Sequence, residues 1–216
     1  MLTLATQLVV DGVEPQKAMR LLKEFNETAI GVYEGQQYDM EFEARTDVTI
    51  DEYMEMIRLK TSVLLAGAAR IGAVMGDADE RNANALYDFA VNLGLAFQLA
   101  DDLLDVVGSS RNTGKPVGGD IREGKRTVLL ADALSAADTA DKADLIAIFE
   151  EDCRNDNQVA RTIELFTSTG ALDRSRERIA ALWGESRKAI AGLELNSEAQ
   201  RRLTEACARF VPESLR

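Results

Sequence analysis

No histidine occurs among the 216 residues of this chain. That absence removes serine–histidine catalysis and histidine-ligated zinc, and leaves oxygen as the donor for any metal, which favours a hard ion such as Mg²⁺. Cysteine is limited to Cys153 and Cys207. Two thiols make no disulfide framework and suit a reducing compartment, so a cytoplasmic location is expected. Proline occurs three times, while Ala, Leu, Glu and Arg are plentiful, a balance that favours helix. Basic residues are outnumbered, 25 against 37 acidic, for a net charge of −12. A nucleic-acid partner is thereby excluded, because phosphate-backbone binding needs a basic stripe. A small phosphorylated molecule stays admissible if metal ions stand between it and the acids. Long apolar runs are missing too: Ser62 to Ala69 falls far short of the ~20 residues of a transmembrane span. With no linker in evidence, residues 1–216 read as one domain.

What is present is helical periodicity. Residues 2–10 are apolar, with no capping residue ahead of them, and end at Asp11-Gly12. Met19, Leu22, Phe25, Ala29, Val32 and Tyr33 recur at helical spacing between Pro15 and about Phe42. Tyr53, Met56, Ile57, Lys60, Leu64 and Ala68 predict a second long helix. Residues 80–107 carry the longest pattern, apolar almost all round from Leu86 to Leu104, as expected of a central buried helix. Residues 108–124 hold five of the fifteen glycines and read as a mobile loop suited to a lid. Helices are predicted near 125–136, 140–153, 157–168, 171–191 and 197–210, with no strand. The fold class is all-α, a helical bundle.

The chemistry gathers at the end of the long helix, in DDLLD at 101–105. Asp101 and Asp105 lie four residues apart, and Asp102 and Asp105 three, so the three carboxylates crowd within roughly 6 Å. At an effective dielectric near 20, each close pair repels by about 3 kcal/mol, which calls for a cation. A solvated helix end would also accommodate a lone DDxxD. Here an apolar FQLA precedes the cluster and a basic loop follows it. In that loop Lys115, Lys125 and Arg126 flank a segment containing Asp120, suiting an anion held by metal on one side and ammonium groups on the other. Upstream, Lys60-Thr61 sits in an apolar setting where a lysine needs an anionic partner. In the EGQQYD stretch at 34–39, Gly35 costs a helix about 1 kcal/mol, which points to close packing or ligand approach. Phe97-Gln98 lies one turn before the aspartates and directs an amide toward the same cavity.

Together EGQQYD at 34–39, KT at 60–61, GLAFQLADDLLD at 94–105 and GKPVGGDIREGKRT at 114–127 resemble the trans-isoprenyl diphosphate synthases, the polyprenyl synthetase family. The resemblance implies a terpenoid-synthase helical bundle, a homodimer, and condensation of an allylic diphosphate with isopentenyl diphosphate. It implies Mg²⁺, with Mn²⁺ as a substitute, held by Asp101, Asp102 and Asp105. Lys60 and Lys125 would bind diphosphate, with Lys115 arriving on the lid. Thr61 and Gln98 would lie beside the developing cation. Gln36, Asp39 and Phe97 would line the cavity, whose apolar walls exclude water. The proton is lost to diphosphate, so no histidine base is required.

The resemblance also implies a first aspartate-rich motif well upstream of EGQ, and no such cluster precedes Asp101. The expectation is therefore an N-terminally incomplete bundle: a proteolytic product, a truncated form or a misassigned start, with little prenyl transfer alone. Alternatives are a non-catalytic subunit of a heteromeric synthase and a helical interaction protein. Product length depends on side chains near the missing motif and is not assigned.

Overall fold

In the computed structural model, residues 2–108, 117–193 and 195–216 are described, and all regular structure among them is helical. Helix α1 spans Leu2–Val10, α2 Pro15–Glu43 and α3 Ile50–Ile57. A π-helical segment, Arg58–Ser62, leads into α4, Val63–Met75, and α5 follows at Glu80–Val107. Then come α6 (Gly119–Glu123), α7 (Val128–Ala136), α8 (Thr139–Glu150), α9 (Asp156–Ser168), α10 (Ala171–Ile190), α11 (Ser197–Cys207) and a 3₁₀ turn, Glu213–Leu215. Among the described residues no helix is long and apolar enough to cross a membrane.

The starts follow local chemistry. Pro15 occupies the first turn of α2, where its missing N–H costs nothing, and Glu14 accepts from the amides of Gln16 and Lys17. Thr49 and Glu52 form a reciprocal capping box on α3, Asn155 and Gln158 another on α9, and Asp79 caps α5.

Helix α5 is central, as its composition predicts. It packs against α10 on one side and α4 on the other, with α2 outside α4. Phe89, Leu93, Ala96, Leu99, Leu103 and Val106 are all buried along it. Buried Asp132 on α7 receives Arg174 and Arg178 from α10, an ion-pair staple between those helices. Helix α1, by contrast, buries none of its residues.

Two expectations change. The single long helix predicted through Tyr53, Lys60 and Ala68 is broken into helix, π turn and helix, with Val63 N–H reaching back to the Arg58 carbonyl. Its neighbours approach the broken turn closely. A Cβ on Gly35 would lie 2.2 Å from the Lys60 nitrogen, and one on Gly94 would lie 2.7 Å from the Ser62 Cα. Helices α2 and α5 thus grip the wide turn through two glycines. Of the two readings of Gly35, close packing is the observed one. Second, the predicted 108–124 loop contains the short helix α6; the lid lysine Lys115 lies outside the described residues.

Candidate functional site

A cavity of about 120 Å³ opens between α2, α3, the π segment, α5 and the α6–α7 connection. Five carboxylates line it, from Asp39, Glu43, Asp101, Asp102 and Asp120, against three cations, Lys60, Lys125 and Arg126. Tyr53, Thr61 and Gln98 complete the polar wall, with Phe42, Met56 and Ile57 as apolar floor. Seven of the predicted site residues therefore meet here: Asp39, Lys60, Thr61, Gln98, Asp101, Asp102 and Lys125.

The cations are already engaged. Lys60, on the π segment, pairs with Asp39 of α2. Lys125 pairs with Asp120 and, at 3.3 Å, with Glu123. Burial opposes its charge, yet the hydrogen bond and field of Asp120, with Glu123 behind, raise the pKa of this ammonium. Arg126 is structural: its guanidinium donates to the carbonyls of Arg45, Gly124 and Phe149. It clamps the connection from which Lys125 projects.

The three aspartates of DDLLD have different surroundings. Asp101 is exposed at the cavity rim. Asp102 is 3% exposed; it accepts from the Tyr53 hydroxyl and, at 3.1 Å, from Gln98 Nε2. Burial pushes its pKa up to about 7 despite those two donors, and the charges of Asp120 and Asp101 act in the same direction. Tyr53 is raised well above its usual value by burial, then by the Asp102 charge and hydrogen bond. Asp105 is half-buried and accepts from the backbone N–H groups of Gly119 and Asp120, at 3.2 and 3.0 Å. Burial raises its pKa, against the pull of those donors. Adjacent helical positions point about 100° apart, so Asp101 and Asp102 do not share a face.

Among the described residues, no three acidic or thiol side chains converge as a ready metal set. The donor chemistry nonetheless fits a hard dication: the acidic ligands are all carboxylate oxygens, in excess over the cations. Two predicted cavity residues stand elsewhere. Gln36 is exposed on α2, and Phe97 packs edge-on against Phe210 with ring centroids 5.5 Å apart. Sequence reading overlooked Tyr53, whose apolar spacing conceals its hydroxyl, and gave no separate role to Asp120.

Comparison with known proteins gives one consistent answer. The sequence profile described as Polyprenyl synthetase matches residues 1–166. A short chain isoprenyl diphosphate synthase of Methanothermobacter thermautotrophicus is 40% identical over 169 residues, covering 78% of this chain and 51% of that protein. A geranylfarnesyl diphosphate synthase of Natronomonas pharaonis is 34% identical over 202 residues, 94% of this chain and 57% of the relative. Among solved structures, the geranylgeranyl pyrophosphate synthetase from Pyrococcus horikoshii superposes with a TM-score of 0.89 at 34% identity, covering 97% of this chain and 63% of the other. The chain spans about half the length of the curated relatives it matches.

Proposed function

Because the chain belongs to the polyprenyl synthetase family and has the all-helical terpenoid-synthase fold of its structural neighbours, we propose that it serves prenyl transfer from an allylic diphosphate to isopentenyl diphosphate. The observation that carries this reading is the single cavity in which Lys60, Lys125, Asp101, Thr61 and Gln98 meet. Synthases of this family generally use a divalent metal; Mg²⁺ is the ion we assign, at the exposed Asp101 on the cavity rim, with phosphate oxygens and water completing its shell, whereas Asp105 stands outside the cavity lining with both carboxylate oxygens on backbone amides. When bound, the metal offsets the charge that builds on departing diphosphate.

The chain's own groups do the rest. Lys60 and Lys125 exchange their carboxylate partners for diphosphate oxygens and hold the leaving group in place. Thr61 and Gln98, hydrogen-bonded at 3.0 Å, face the carbon from which diphosphate departs. Phe42, Met56 and Ile57 keep water from the cation. A second copy of the chain would cover the apolar residues that α1 and α2 expose, among them Leu4, Leu8, Met19 and Ile30, giving a homodimer.

Thermal unfolding with Mg²⁺ and inorganic pyrophosphate tests the site. At a hundredfold excess over Kd, the pair together raises Tm by about 8 °C. Lys60→Gln and Lys125→Gln each shrink that shift. A wild-type chain indifferent to the pair would sink the reading. Product formation from allylic and isopentenyl diphosphates by the 216-residue chain tests its turnover directly.

A further inference from the structure

We infer that Arg154, which is absent from the cavity lining, is a positioning residue for Lys125: with Arg126 it fastens the α6–α7 connection to the end of α8 and so fixes the backbone that carries the Lys125 ammonium. The inference deepens the prenyl-transfer reading and rests on it for the anion that Lys125 holds.

The α6–α7 connection has little of its own to hold it. Helix α6 is five residues long, and glycines with positive φ, Gly118 and Gly124, stand at its two ends. Glycine is the residue with most backbone freedom to lose there. Lys125 follows Gly124 directly, and its side chain is 52% exposed. The aim of the ammonium is therefore set by whatever holds Gly124.

The holder is the end of α8. The last four carbonyls of a helix lack partners within it and carry the negative end of its dipole. No basic residue stands in the last turn of α8 itself. Two guanidinium groups come from outside instead. Arg126 donates to the Phe149 carbonyl at 3.0 Å and to the Gly124 carbonyl at 2.8 Å. Arg154, between α8 and α9, donates to the same Phe149 carbonyl at 2.6 Å and to that of Ile148 at 3.2 Å. Both cations stand over the Phe149 ring, 5.3 and 5.5 Å from its centroid. The Arg154 guanidinium also fills the place of a side chain on Gly124, where a Cβ would lie 2.6 Å from its Cζ. Arg126 thus ties Gly124 to α8, and Arg154 bars the glycine from moving toward it. Without Arg154, Gly124 gains open space on that side. Lys125 then has to be ordered when its anion arrives, which weakens binding.

A double-mutant cycle separates aiming from general support. Calorimetry on the 216-residue chain gives the affinity for inorganic pyrophosphate in the presence of Mg²⁺, for wild type, Arg154→Met, Lys125→Gln and the double variant. Arg154→Met should bind about fivefold more weakly, and Lys125→Gln about tenfold or more. The double variant should match Lys125→Gln within about twofold, because Arg154 acts through Lys125. An unchanged affinity in Arg154→Met overturns the inference. So does a loss that persists in full without Lys125, which is what a general loosening of the bundle would give. The second measurement is amide hydrogen exchange by NMR at Gly124 and Lys125, whose N–H groups donate to the Ile121 and Asp120 carbonyls. Exchange there should be about tenfold faster in Arg154→Met, with the amides of Leu99 and Leu103 as the unchanged reference. If wild type takes up no Mg²⁺-pyrophosphate, the prenyl-transfer reading falls. Amide exchange then decides whether Arg154 orders the backbone of Lys125, and equal rates in wild type and Arg154→Met overturn it.

Discussion

Asp132 and Asp102 are buried to nearly the same depth, 1% and 3% exposed, and the chain surrounds them in opposite ways. Asp132 receives two guanidinium groups, Arg174 and Arg178, and its charge is neutralised where it stands. Asp102 receives a phenol and an amide, both neutral, and sits near the charges of Asp101 and Asp120. The first arrangement ties α7 to α10 and asks nothing of the surroundings. The second leaves negative charge without a full counter-ion at one end of α5. A fold tolerates such a deficit where something from outside supplies the missing positive charge. The contrast separates a carboxylate neutralised within the bundle from one left without a cation partner beside the cavity.

The sharpest way to break this contrast is pH. The folded-state pKa of Asp102, about 7, lies above the ordinary carboxylate value, so the native state holds the proton more tightly than the unfolded chain does. Stability from this group is fully present below about pH 4 and is lost as pH rises through 7. In EDTA, this term should cost about 4 kcal/mol between those limits at most. Comparing wild type with Asp102→Asn by denaturant unfolding across pH isolates it, because the amide does not titrate. Parallel pH profiles for the two proteins would remove the distinction.

Next in size is the staple. Asp132→Ala leaves Arg174 and Arg178 facing each other without their anion and should cost about 3 kcal/mol at pH 7. Urea unfolding measures it, and Mg²⁺-pyrophosphate should not relieve the loss specifically. A smaller effect, of about 2 kcal/mol, is expected of Gly35→Ala, because the new methyl meets the Lys60 backbone and α2 must shift. This change alters no charge, yet it should weaken pyrophosphate binding by displacing Lys60 and Thr61, measurable by calorimetry. The smallest stability change belongs to Lys125→Gln. Its side chain is 52% exposed, so unfolding should move by no more than about 0.5 kcal/mol while anion affinity drops.

Much of this molecule was legible before its shape was known. Periodicity located α2, α5, α9 and α10 closely, and the all-round apolar character of α5 marked it as central. The π turn was not legible. A π turn carries no residue-type signature of its own, and the glycines that pack closely against it, Gly35 and Gly94, lie on other helices. The cavity residues were found as separate pieces, and the fold brings seven of them together. The different surroundings of the three DDLLD aspartates were hidden for a related reason. They depend on Tyr53, 49 residues upstream, and on the amides of Gly119 and Asp120 beyond the loop. Gln36 and Phe97 were misplaced because proximity in sequence to a site residue does not decide which way a helical side chain points.

The ion pairs of Lys60 with Asp39 and Lys125 with Asp120 carry one more consequence. Each lysine already has an anion, tethered at high effective concentration by the fold itself. An arriving ligand therefore competes with a resident one. Chloride or a singly charged ester engages one lysine at a time and meets that competition alone. On the proposed function a diphosphate would engage both, and the metal that accompanies it would offer the released carboxylates a new partner. On that function the internal pairs would act as a threshold, favouring a multivalent anion over the abundant simple anions of a cell.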